Sequence, residues 1–71
     1  HPEFYLDLPF KDAKEHLIED FEKRYIVEVL KSFKGNISRS AEHSGIDRRS
    51  LHRLLSKYHI DAHQVAAEED D

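Results

Sequence analysis

Ser44-Gly-Ile-Asp-Arg-Arg-Ser-Leu-His-Arg-Leu-Leu55 puts a helix stop, a helix start, three arginines and a leucine stripe into one short run. Gly45 suits the left-handed position that ends a helix, and Asp47 is a good cap for the next one. From Arg48 to about Tyr58, the residues Leu51, Leu54, Leu55 and Tyr58 recur at the i, i+3, i+4, i+7 spacing of one helical face. Arg48, Arg49, Ser50, His52, Arg53 and Lys57 fall outside that stripe. Upstream, Asn36 is placed to cap a short helix over 37–44, with the small Ala41 where a second helix must cross closely and Ile46 inside the turn. Two short helices joined by so tight a turn form either a plain helical hairpin or a helix-turn-helix that presents its second member to the major groove of DNA.

Charge decides between these. The chain is acidic overall, with a formal net charge of −4 over 71 residues, but the charge is segregated. Residues 31–59 hold Lys31, Lys34, Arg39, Arg48, Arg49, Arg53 and Lys57 against Glu42 and Asp47, a local +5, and the acidic excess lies in the two flanks. A phosphate backbone meets the local field within a Debye length of ~8 Å, so the basic segment matters and the total does not. An arginine can bond O6 and N7 of one guanine, while Ser50 and His52 can donate to or accept from a base edge or a phosphate. Asn36, Ser38 and Arg39, at the start of the first short helix, offer backbone N–H groups and a favourable dipole to a phosphate.

Before this pair the pattern predicts one long helix, about 10–33. Phe10, Ala13, Leu17, Phe21 and Tyr25 share one arc, with Ile18 at its edge. Beyond Tyr25 the apolar positions Ile26, Val27, Val29, Leu30 and Phe33 cover more than half of the circumference, wider than one neighbouring element needs. A chain this short buries little apolar surface alone, and with no cysteine it has neither disulfides nor a thiolate zinc site. The expectation is an all-α, two-fold homodimer built on the long helix, with Leu17, Phe21, Tyr25 and Val29 in its interface. Lys34 complements the negative end of this helix, and Gly35 is expected at its left-handed end position.

The ends carry less. Residues 1–9, with Pro2 and Pro9, are expected to be extended, a linker or a cloning remnant; residues 60–71 read as an acidic, frayed tail. No apolar run approaches the ~20 residues that span a bilayer, and no charged leader precedes an apolar segment, so the chain reads as soluble and unexported. No Gly-rich phosphate loop, nucleophile with its base or enforced carboxylate pair is present, so neither catalysis nor a cofactor is expected. His59 and His63 are four apart, but no third ligand is spaced nearby, which argues against a metal site.

The run from Phe33 to Tyr58 resembles the Fis-type helix-turn-helix. Taken with Leu8-Pro-Phe-Lys-Asp-Ala-Lys14 and Phe21-Glu-Lys-Arg-Tyr25, it most resembles the C-terminal DNA-binding domain of NtrC-family, sigma-54-dependent transcription activators, over about residues 8–59. The resemblance implies a bacterial nucleoid protein of the cytoplasm, a homodimer binding inverted-repeat enhancer sites in double-stranded DNA with one recognition helix per half-site. It places Asn36, Ser38 and Arg39 at the phosphate backbone and Arg48, Arg49, Ser50, His52 and Arg53 at or near the groove, with Lys57 on a phosphate. The sequence departs from the pattern at Ser40, where a second alanine is usual, and at His59, where glycine is common. His59 either takes the left-handed conformation or the helix runs on. Full activators of this kind add an ATPase domain, which acts on sigma-54 RNA polymerase, and usually the receiver domain of a two-component system; neither fits within these residues. Two alternatives stay open: a free-standing Fis-like DNA-bending protein, and a helical dimerisation module that binds no DNA.

Overall fold

Proline fixes φ near the helical value and lacks the N–H that a helix start would leave unpaired, so Pro9, at φ −57°, opens the first helix, with its carbonyl accepting from the Ala13 N–H at 2.9 Å. In the computed structural model, which describes residues 4–69, four helices follow: α1 (Phe10–Ser32), α2 (Ile37–Ser44), α3 (Arg48–Lys57) and α4 (Ala62–Glu69). The described residues are all-α, and α2 and α3, joined by a tight turn, form a helix-turn-helix.

The first three helices close in the same way. A residue with positive φ follows each: Lys34 at 53°, Gly45 at 74° and His59 at 54°. The next N–H then reaches back across the last turn, Gly35 to the Leu30 carbonyl at 2.8 Å, Ile46 to Ala41 at 3.2 Å and Ile60 to Leu55 at 2.9 Å. At the end of α1 two successive residues are left-handed, Lys34 and, at 81°, the Gly35 expected there. Gly35 also permits a close contact: a Cβ on it would lie 2.9 Å from the Ala62 carbonyl oxygen and 3.2 Å from the Ala66 Cβ.

The core forms where these elements meet. Ile26 and Leu30 of α1, Ala41 of α2, Leu51 and Leu55 of α3 and Val65 of α4 are buried, with Val27, Ile37, Ile46, Leu54, Ile60 and Ala62 packed around them. Burying a side chain of Leu30's size contributes about 1.5–3 kcal/mol. The core takes only the second half of α1. In the first half Phe10, Leu17, Ile18 and Phe21 remain exposed, Phe21 by 65%, and Tyr25 stands at the boundary.

Both expectations for the chain ends need correction. Residues 60–69 are not a frayed tail, because Asp61 starts a helix there: its Oδ1 accepts the N–H groups of His63 at 2.9 Å and Gln64 at 3.1 Å. Val65 then anchors α4 in the core, while residues 70 and 71 lie outside the described residues. Residues 4–9 are not extended either. The Leu8 N–H bonds the Tyr5 carbonyl at 2.9 Å, Tyr5 has a φ of 53°, its hydroxyl donates to the Asp20 carboxylate and its ring lies against His16, centroids 5.1 Å apart. The suggested remnant falls mostly on residues 1–3, outside the described residues.

Candidate nucleic-acid interface

Leu51 and Leu55 seat α3 on the core, and helical periodicity turns its other side chains outward. Arg48, Arg49, His52, Arg53 and Lys57 are all exposed on that side. Ser50 differs. It is half-buried, its N–H donates to Asp47 Oδ1 at 2.9 Å and its hydroxyl to Asp47 Oδ2 at 3.0 Å. The hydroxyl hydrogen is thus committed to the helix cap, which leaves the oxygen to face a ligand only as an acceptor. The Asp47 carboxyl is held below the usual carboxylate range by the Ser50 N–H and hydroxyl, against some desolvation, with help from the Arg49 N–H and the charge of Arg53.

The far end of α3 is tied to the long helix. The Tyr58 hydroxyl donates to Glu22 Oε1, and because ionisation would lose that hydrogen bond and set a phenolate against the carboxylate, the phenol is pushed up to about 12. Lys57 Nζ lies 5.1 Å from the centroid of the Tyr58 ring, which restrains an otherwise free cation. α3 is therefore fixed at its start by Asp47, along its length by leucines and at its end by Tyr58.

At the start of α2, Asn36 Oδ1 accepts the Arg39 N–H at 3.0 Å. The N–H groups of Ile37 and Ser38 have no intrahelical acceptor, as in the first turn of any helix, and Ser38 is exposed beside them. Arg39 extends over the Phe33 ring, 6.0 Å from its centroid, so an aromatic face aims its guanidinium. A groove of about 570 Å³ runs here between Ser32, Phe33, Lys34, Asn36 and Arg39. It brings together two of the three phosphate-contact candidates of this helix and adds Lys34, a cation that sequence reasoning had assigned only to the helix dipole. The signal for Lys34 was its place two residues before the Asn36 cap.

Residues 17–58, from the middle of α1 to the end of α3, match the family described as bacterial regulatory protein, Fis family. The chain belongs to that family. Its Fis-type helix-turn-helix is a DNA-binding module without a catalytic role, and among the described residues no group of three His, Asp or Glu is arranged to hold a metal. This Fis-family chain is also 42% identical, over 53 residues, to the nitrogen assimilation regulatory protein NtrX of Azorhizobium caulinodans, a match covering 75% of this chain and 11% of that protein. The chain thus spans about a tenth of the length of that curated relative. No solved structure matches it. No described helix of the Fis-family domain is long and apolar enough to cross a membrane.

Proposed function

We propose that the chain binds inverted-repeat sites in duplex DNA sequence-specifically, as a two-fold homodimer, and serves as the C-terminal domain of a sigma-54-dependent transcription activator. The observation that carries this reading is the division of exposed surface. Arginines and a histidine cover the outer face of α3, while α1 leaves Leu17, Phe21 and Tyr25 uncovered. Leu17, Phe21, Tyr25 and the half-buried Val29 pair with the same residues of a second copy, a self-complementary arrangement that two-fold symmetry allows. Arg48, Arg49 and Arg53 then read base edges, with His52 beside them at the edge of the groove. Ser50 accepts through its oxygen, and Asn36, Ser38, Arg39 and Lys57 fix the register on phosphates.

In the whole protein an ATPase domain would precede this one and act on sigma-54 RNA polymerase, with the DNA contact holding it at an enhancer in the bacterial nucleoid. The likeness to NtrX over this segment supports that setting.

Fluorescence anisotropy against an inverted repeat selected from random duplexes tests the DNA reading. Binding should weaken steeply as salt rises, because each neutralised phosphate releases counterions, and half-site centres should lie about one helical turn apart. Salt-insensitive binding, or selected sites without two-fold symmetry, would count against it. The coding sequence upstream of residue 1 tests the activator setting.

A further inference from the structure

The groove between the recognition helix and α4 holds chemistry that the helix-turn-helix leaves unused. It has a volume of about 570 Å³, and Ile37, His52, Ser56, His59, Ala62 and His63 stand around it. Three imidazoles from three places in the chain converge on it. His52 lies on α3, His59 is the left-handed residue just beyond the end of that helix, and His63 comes from the first turn of α4. The left-handed backbone of His59 makes the meeting possible, since it ends α3 and turns the chain so that α4 can return alongside. All three side chains are exposed.

The electrostatic surroundings are simple. No carboxylate lines the groove, and from α2 only the apolar Ile37 reaches it. Lys23 of α1, Tyr58 and Asp61 lie around a separate depression on the other side of His59, and Asp61 is engaged with the N–H groups of His63 and Gln64. The imidazoles are not arranged as metal ligands. An imidazole can hold a second ring proton beside an anion and then donates from both nitrogens, which suits a groove of this kind to a phosphate. The groove also continues two edges of the proposed DNA contact. His52 belongs to the outer face of α3, and Ile37 adjoins Asn36 and Ser38 at the start of α2.

We propose that this groove is a binding subsite for the DNA backbone, in which His59 and His63, together with His52, take up protons as a phosphate of the bound duplex enters, extending the contact onto α4. The inference rests on the DNA-binding reading above. An imidazolium donating to a phosphate is favoured over the neutral ring, so its pKa rises in the complex. A raised bound-state pKa makes its contribution complete below the free value and removes it as pH rises through the bound value. A phosphate that prefers the imidazolium about tenfold at each of two rings binds about a hundredfold tighter on the acid side.

The test compares anisotropy of a random duplex of about three helical turns at fixed salt, near pH 8 and near pH 5.5. The parent chain should bind about ten- to a hundredfold tighter at the lower pH. His59→Asn combined with His63→Gln should lose most of that ratio, with circular dichroism confirming that the helices persist; asparagine is chosen because it tolerates positive φ. His63→Gln alone, at an exposed helical position, should still shrink the ratio if His59→Asn loosens the turn. Equal parent affinity at the two pH values overturns the proposal, as does a full parental ratio in both variants. Salt-sensitive binding with a flat pH profile removes this subsite and leaves the DNA reading intact, whereas no binding at either pH removes both. A titration of the histidine ring signals with inorganic phosphate separates the sources. Saturable binding that raises the pKa of His59 and His63 would mark a free-anion site and overturn the assignment to the duplex.

Discussion

Replacing Ser40 with alanine is expected to stabilise the domain. Ser40 is 1% exposed within the α2 crossing, and its Oγ has no hydrogen-bond partner. A hydroxyl buried without a partner costs about 1–3 kcal/mol. Alanine's helix propensity adds about 0.5 kcal/mol in the same direction. Against these stands the loss of a few van der Waals contacts of one oxygen, at about 0.1–0.2 kcal/mol each. The net gain is about 1–2 kcal/mol, and for a domain of this size each kcal/mol moves Tm by about 4–8 °C. Thermal and urea denaturation followed by circular dichroism, at one protein concentration, measures it. Ser44→Ala is the matched control. The Ser44 hydroxyl donates to the Ser40 carbonyl at 2.8 Å and approaches that of Ala41 at 3.3 Å, so its removal should be neutral or cost less than about 1 kcal/mol. A lower Tm in Ser40→Ala would refute the reasoning. It would mean that the hydroxyl turns in solution to an acceptor such as the Asn36 carbonyl, which takes the Ser40 N–H at 3.0 Å.

Phe21→Glu puts a charge into the exposed face of α1; sedimentation equilibrium should find a monomer of unchanged helicity with weakened DNA binding, and a persistent dimer would exclude that face. Arg53→Ala should cost about 1–3 kcal/mol on the selected operator and less on random duplex, and equal losses on both would move Arg53 from a base to a phosphate. Gly35→Ala sets a Cβ against the Ala62 carbonyl at a φ of +81°, so it should destabilise the fold by at least about 1–2 kcal/mol and speed amide exchange at Val65; unchanged exchange would show that α4 docks otherwise. Spectrophotometric titration should find one tyrosine ionising near 12, returning toward 10.0 in Glu22→Gln. Because the folded-state value is raised, the stabilisation from this contact is whole below about 10 and lost as pH rises through about 12. A parental titration curve in Glu22→Gln would dissociate the two groups.

The second and third helices were legible because their signals act within one turn. Asn36 and Asp47 sit three residues before the N–H groups they accept, Gly45 has the φ that its place requires, and the spacing of Leu51 and Leu55 marks the buried face. What the sequence concealed depends on contacts between distant residues. α4 has one buried apolar side chain, Val65, too weak a pattern to mark a core helix, and it docks because Gly35, far back in the chain, lacks a Cβ where Ala62 passes. Gly35 looked like an ordinary helix stop, and it is left-handed as expected, but the lack of a Cβ also lets Ala62 pass close to it, which no local signal announces. Ser50 is the local exception: it matched a base-contacting pattern, but the Asp47 carboxylate three residues earlier claims its hydroxyl hydrogen as well as its N–H. Tyr5 was hidden in a proline-flanked segment, since only the fold brings it to His16 and Asp20.

These contacts give α1 two roles along its length. Its second half, at Ile26 and Leu30, belongs to the core that seats the helix-turn-helix, and its first half carries the face assigned to the partner copy. Glu22 lies where the halves join, and there the Tyr58 hydroxyl fastens the end of the recognition helix. A rigid helix transmits orientation well, so whatever packs on Phe21 and Tyr25 also sets where Arg48 and Arg53 point. In a two-fold dimer the distance between the two recognition helices would then follow from the register of the α1 faces, not from a flexible linker. The same fixed geometry would hold the His59 and His63 groove at one distance from the duplex, so that proton uptake there accompanies correct seating of α3 and does not vary independently of it.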